Sequence, residues 1–155
     1  MIYHLLLGSN MQDPPRQIET ACTQIAALAG VSISRQSRMR LTKPYGKTDQ
    51  DDFYNMVLEL ESDLEAQDLL ECLMDIEQSM GRVRAEKWGP RTIDIDILLA
   101  ENTVISRKEL NIPHSDLHNR AFALSLLCEL VPDAIHPIYN KTMRELLDSL
   151  PGGNT

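Results

Sequence analysis

Between residues 93 and 97 isoleucine and aspartate alternate without a break, Ile93-Asp94-Ile95-Asp96-Ile97, before Leu98 and Leu99. That is the period of a β-strand, whose successive side chains leave opposite faces. The isoleucines then belong to a core, and the two carboxylates share the other face with Cα atoms roughly 6–7 Å apart. Parallel carboxylates repel unless a cation lies beside them. Hard divalent ions such as Mg²⁺ take one or two carboxylates and complete their shell with water and phosphate oxygens. A bare Asp-x-Asp also fits an ordinary solvated strand face, so its neighbours have to decide.

Those neighbours are basic. The chain carries a net charge of −8, which excludes the broad positive face that nucleic acid needs. Yet four of its 15 Lys and Arg (Arg82, Arg84, Lys87 and Arg91) crowd the stretch just before the acids. Guanidinium forks fit phosphate oxygens in pairs. Carboxylate-held metal with arginine is what phosphoryl transfer requires, because its catalysis is mainly positioning and charge stabilisation. Trp88, the only tryptophan, lies inside this polar loop, either folded back on the core or covering a bound phosphate tail.

Around this centre the pattern predicts a strand at Ile2–Gly8 and a helix from the Asp13-Pro14-Pro15 start to a cap at Gly30. A strand follows at Val31–Arg40, then a polar loop from Thr42, a strand at Phe53–Glu61 and a helix at Leu64–Met80. Ile93–Leu99 is the next strand, with Thr103–Ile105 pairing to it as a short hairpin, and helices close the chain at Asn119–Leu130 and Thr142–Leu150. The order β-α-β-β-α-β predicts an α+β fold with a ferredoxin-like core, a mainly antiparallel sheet and helices packed on its faces. With no linker-like stretch, residues 1–155 are read as one domain. No apolar run reaches membrane-helix length, and Met1–Gly8 has no basic lead, so the expectation is a cytoplasmic protein. Cys22, Cys72 and Cys128 show no Cys-x-x-Cys spacing and read as packing residues.

Two further segments offer ligand groups. Phe53 opens its strand and Asn55, two residues on, faces the same way. An aromatic face beside an amide suits a planar heterocycle, although core packing explains Phe53 equally. Further on, Pro113-His114 precedes a helix that brings His114, Arg120 and Phe122 near its start, a favourable anion site. A zinc pair from His114 and His118 is disfavoured by Pro113.

With Gly8-Ser9-Asn10, the Gly81-Arg82-x-Arg84 to Trp88-Gly89-Pro90-Arg91-x-x-Asp94-x-Asp96 string and Arg120-Ala121-Phe122 assembled, the chain closely resembles the 6-hydroxymethyl-7,8-dihydropterin pyrophosphokinase family of folate synthesis. The resemblance implies that the β,γ-diphosphate of ATP passes to the hydroxymethyl group of the pterin and AMP leaves. It implies that Asp94 and Asp96 hold two Mg²⁺ ions, and that Arg82 and Arg91 take part in catalysis with them. ATP would be bound by Glu77, Arg84, Lys87, Trp88, Arg91, Leu98, His114 and Arg120. The pterin would be bound by Thr42, Pro44, Tyr45, Phe53, Asn55 and Phe122, with its ring between the two phenylalanines. ATP and the pterin would be the partners, with no nucleic acid, membrane or obligate protein partner. Departures from the family pattern stand at Lys87, Arg40, Asp51 and Ser125-Leu126-Leu127, none of them a metal ligand or stacking ring. A relative that binds without transferring, or a ferredoxin-like interaction module with an acidic surface, are the competing readings. The second leaves the Arg–Trp–Arg–Asp-x-Asp string unexplained.

Overall fold

The structure, a computed structural model, describes residues 1–43, 52–81 and 92–151. In chain order its elements are β1 (Ile2–Ser9), α1 (Pro14–Ala26), β2 (Val31–Gln36), β3 (Arg40–Thr42), β4 (Phe53–Ser62), α2 (Ala66–Ser79), β5 (Asp94–Ala100), β6 (Ile105–Ser106), β7 (Asn111–Ile112), α3 (Ala121–Leu130), β8 (Ile135–His136), β9 (Lys141–Thr142) and α4 (Met143–Asp148). A 3₁₀ turn at Leu117–Asn119 precedes α3.

The main sheet runs β2-β4-β1-β5, with β3 added beside β4, and every pairing is antiparallel. This is the arrangement the βαββαβ order implies. β1 is central and covered on both faces, which is why Tyr3-His4-Leu5-Leu6-Leu7 reads as a nearly continuous apolar run. Its odd residues Tyr3, Leu5 and Leu7 join Ile93, Ile95 and Ile97 in one core, closed by Ile18, Ala21 and Ile25 of α1 and Leu69, Leu73 and Ile76 of α2. On the opposite face Leu6, Val57 and Leu98 meet Leu124 and Leu127 of α3 and Met143, Leu146 and Leu147 of α4 in a second core. Among the described residues no helix is long and apolar enough to cross a membrane. The three cysteines are unbridged, and Cys128 is buried in the second core.

Several boundaries differ from the pattern-based expectation. The strand expected over Val31–Arg40 breaks after Gln36, because Ser37 turns its hydroxyl to the partner strand and accepts the Val57 N–H at 2.8 Å. Thr103–Ile105 does not pair with β5; Ile105–Ser106 pairs instead with Asn111–Ile112. The first helix ends at Ala26, and Gly30, with φ +76°, serves the turn into β2 rather than a helix cap. The helix expected from Asn119 starts at Ala121, leaving Arg120 in an extended conformation at its mouth.

At the end of the sheet away from Asp94, buried His4 and Glu59 form an ion cluster with exposed Ser34 and Arg35. Glu59 accepts from Arg35 at 3.0 and 2.8 Å and from Ser34 at 2.9 Å, and lies 3.0 Å from Nε2 of His4. The Arg35 hydrogen bonds hold the Glu59 carboxyl down at about 2, and burial lowers the His4 pKa so that a neutral ring donates. Because the Glu59 pKa is depressed from 4.5, its stabilisation is complete above that pH and disappears as pH falls towards 2. Glu59→Gln is expected to lower Tm by about 5 °C at pH 7 and to flatten the loss of stability between pH 4.5 and 2 in thermal melts. A variant that melts like the parent at both ends of that window removes the cluster from the stability account.

Candidate active site

Strand register assembles the site. Asn55 of β4 pairs with Gly8 of β1, and Gly8 pairs with Asp94 of β5, so the three lie in one row across the sheet. The next row is Val57, Leu6 and Asp96. Paired residues share a face, and this face is the one that α3 covers further along. A cavity opens over the first row. Its floor is Leu6 and Gly8, its ends are Asn55 and Phe53 on one side and Asp94 and Asp96 on the other, and Thr42, Lys43, Arg120 and Phe122 close it. Gly8 is what keeps the floor low. A Cβ there would lie 2.8 Å from Oδ1 of Asn55, inside any normal contact.

The acids occupy the place that alternation predicted. Both are half-buried, while Ile93, Ile95 and Ile97 are buried in the core beneath. Their strand lies at the sheet edge and is pinned from outside. Glu77 of α2 accepts the Ile95 N–H at 2.7 Å, between the two aspartates, and the His114 N–H donates to the Leu98 carbonyl at 2.9 Å. The Ser9 hydroxyl donates to the Thr92 carbonyl just ahead of Asp94. Fixed backbone of this kind holds two like charges close without letting them splay. The Arg120 guanidinium stands 4.0 Å from Asp96 and 5.1 Å above the Phe122 ring centre, so it partly balances the acids and caps the ring.

His114 follows a cis Ile112–Pro113 bond. Its Nδ1 accepts the Asp116 N–H at 3.1 Å, which leaves the proton on Nε2. Burial, reinforced by Arg120, lowers its pKa to about 4, so the ring is neutral near pH 7 and serves as an uncharged donor. His114 lines a second cavity of about 180 Å³ with Leu70, Ile97, Leu110 and Asn111. Asp96 lines both cavities and is the wall they share.

Of the residues singled out from sequence, Thr42, Phe53, Asn55, Asp94, Asp96, Arg120 and Phe122 come together in the first cavity and His114 beside it. Leu98 and Glu77 line neither of these two cavities. Leu98 shares the face of the aspartates but is fully buried under α3, with no side-chain surface for a nucleotide. Glu77 is 5% exposed and bonded to the strand amide, a role in holding β5. Pro44, Tyr45, Arg82, Arg84, Lys87, Trp88 and Arg91 lie outside the described residues. The sequence pattern assigns no role to Gly8 or Ser9, although the Gly8-Ser9-Asn10 string at a strand end was the available signal. The zinc alternative finds no support. His118 contacts Tyr139 with ring centres 4.6 Å apart, and no group of three potential ligands exists among the described residues. Two carboxylates suffice for magnesium, whose shell is completed by water and phosphate, and the all-oxygen donor set of Asp94 and Asp96 fits it.

Residues 4–132 match the family model described as 7,8-dihydro-6-hydroxymethylpterin-pyrophosphokinase. A 2-amino-4-hydroxy-6-hydroxymethyldihydropteridine pyrophosphokinase of Haemophilus influenzae is 40% identical over 134 residues, covering 86% of this chain and 84% of that one. Its counterpart in Methylorubrum extorquens is 40% identical over 151 residues, covering 97% and 94%. Among solved structures, a Plasmodium falciparum HPPK-DHPS bound to pteroate superposes with a TM-score of 0.75 at 18% identity. This chain covers 94% of its own length in that match but spans only 41% of the longer protein, and the likeness bears on fold alone.

Gly8→Ala tests the floor of the cavity. Its backbone angles suit any residue, so the fold should survive. The added methyl must displace the Asn55 amide, and affinity for a pterin is expected to fall about tenfold or more, with little change for MgATP, in fluorescence titrations.

Proposed function

The chain belongs to the 7,8-dihydro-6-hydroxymethylpterin-pyrophosphokinase family, and we propose that the Gly8-floored cavity is where it moves the β,γ-diphosphate of ATP onto the hydroxymethyl group of 6-hydroxymethyl-7,8-dihydropterin. AMP is the other product, and the step belongs to folate synthesis. The observation that carries this reading is one cavity presenting two aromatic rings and an amide at one end and two carboxylates at the other.

The pterin ring fits between Phe53 and Phe122, with its polar edge towards Asn55. The Asn55 Nδ2 donates to the Thr42 hydroxyl, which orients the amide and leaves Oδ1 as an acceptor for a ring N–H. A buried acceptor of fixed direction rejects rings that lack that donor, because the amide would then be left unsatisfied. The hydroxymethyl group then lies towards Asp94 and Asp96. The second cavity, reached across Asp96, suits the nucleotide. Leu70 and Leu110 give it apolar walls, and His114 offers Nε2–H to a phosphate oxygen without adding charge.

Asp94 and Asp96 would hold magnesium, two ions in this reading, which would supply charge neutralisation for the triphosphate and Lewis acidity towards the substrate hydroxyl. Arg120 supplies a fixed positive charge on the same side as the developing negative charge. Arg82, Arg84, Lys87 and Arg91 are assigned to the phosphate tail, with Arg82 and Arg91 catalytic, and Trp88 is assigned to cover the nucleotide. Tyr45 and Pro44 are assigned to the pterin site with Thr42. The new bond joins the hydroxymethyl oxygen to the β-phosphorus as the bond from that phosphorus to the oxygen of AMP breaks, and the hydroxyl proton is released to water. Residues 1–155 act in this reading as one pyrophosphokinase domain, supported by a sheet whose two cores share β1, β4 and β5.

The test is AMP release from ATP, followed with and without the hydroxymethyl-dihydropterin and with and without magnesium. Release is expected only when both are present. Asp96→Ala, at a side chain 30% exposed, should fold with a Tm near the parent's and lose turnover by about a thousandfold. Turnover near the parent's in that variant overturns the metal assignment.

A further inference from the structure

The ring slot depends on a strand that the main sheet barely holds. Pairing between β1 and β4 reaches Tyr54 and stops, so the cross-strand partner of Phe53 is Thr42 of β3. β3 is three residues long and pairs with β4 alone. Its register, Arg40 to Asn55 and Thr42 to Phe53, turns Arg40 and Thr42 towards α3 on the face that carries the slot.

The other ring stands on α3, which leucines seat firmly in the second core. Between β3 and the start of α3, however, lies a cavity of about 490 Å³ lined by residues 40–43 and 119–122. Close side-chain packing therefore does not fix the distance between the two segments along that stretch. A hydrogen bond crosses from one to the other. Arg40 Nη1 donates to Ser125 Oγ at 2.7 Å, joining residues 85 apart in sequence in a partly buried setting. Ser125 lies three residues beyond Phe122, one helical turn along the same flank.

We propose that the Arg40–Ser125 bond is a clasp that sets the position of β3, and through Thr42 that of Phe53, against Phe122, so that it tunes affinity for the pterin ring without touching it. Arg40 and Ser125 are positioning residues. The inference rests on the pterin reading of the Phe53–Phe122 slot and adds to it the part that fixes the slot's width. A charged donor on a partly buried hydroxyl is among the stronger hydrogen bonds, which makes it able to hold a three-residue strand in place.

Ser125→Ala is the informative variant, because alanine is a better helix former than serine and the fold should not suffer. Ser125→Ala and Arg40→Ala are each expected to raise the Kd for 6-hydroxymethylpterin about tenfold, while the Kd for MgATP stays within about twofold. The double variant should be no weaker than either single one, since both remove the same bond. Ser125→Thr, which keeps a hydroxyl, should restore most of the affinity. Unchanged pterin affinity in both single variants, effects that add in the double variant, or equal losses for pterin and MgATP would overturn the clasp. A parent protein that binds no pterin overturns the reading of the slot itself, an outcome visible before any variant is made.

Discussion

The site rests on burial of β1 from both sides. Covering both faces of that strand fixes its register against β4 and β5, because a one-residue slip would exchange the two cores and turn every side chain to the wrong face. Register in turn fixes the row of Asn55, Gly8 and Asp94. Leucine packing thus determines the distance between an amide and a carboxylate that never touch. Where α3 covers the sheet, the same face is filled by Leu6, Val57 and Leu98; where α3 begins, it opens, and a glycine there makes the opening deep. The boundary between core and site is the first turn of one helix.

Edge position gives β5 a second requirement. An unpaired strand edge invites water or another strand, and a strand carrying paired acids would drift under their repulsion. Glu77 and the His114 amide take outward backbone groups on either side of Asp96, and Ser9 holds the approach. These contacts explain why a buried carboxylate stands on the first core's side of the strand without being a metal ligand. Its negative charge is spent on an amide, which leaves the opposite face to the aspartates.

Much of this was legible in the sequence, and the misses have physical reasons. Strict alternation at 93–97 gave the shared face of Asp94 and Asp96 because period-two patterning needs no tertiary information. Phe53 and Asn55 were placed for the same reason. Leu98 shows the limit. Its face was predictable, but whether that face is open or covered at residue 98 depends on where α3 lies, and nothing local encodes that. Glu77 enters the expectation only through the family resemblance, and the strand amide it accepts from, 18 residues away, is something no local pattern encodes. Ser37 broke a strand through a side-chain bond that propensity does not register. Arg40 and Ser125 are 85 residues apart, and only folding makes them partners. The ferredoxin-like order survived all of this, since it depends on which elements exist more than on where each one ends.

Charge accounting around the site gives the proposed reaction its shape. The first cavity is lined by Asp94 and Asp96 on the negative side and by Lys43 and Arg120 on the positive, so its formal charges cancel. His114 adds nothing near pH 7, because burial and Arg120 hold it neutral. The second cavity adds Glu109. Such a surface has no net attraction for a triphosphate, and the chain as a whole, at −8, repels one. On the proposed reading the missing positive charge comes from divalent cations held by the aspartates and from the basic stretch at 82–91. The acids are then the means by which an acidic protein admits a polyanion. A neutral histidine is also the better neighbour for such a site, since a cationic ring beside Asp96 would compete with the metal for its charge. On that reading the one ring that could have been positive, His114, is kept neutral, and cations that accompany ATP supply charge that the cavities lack.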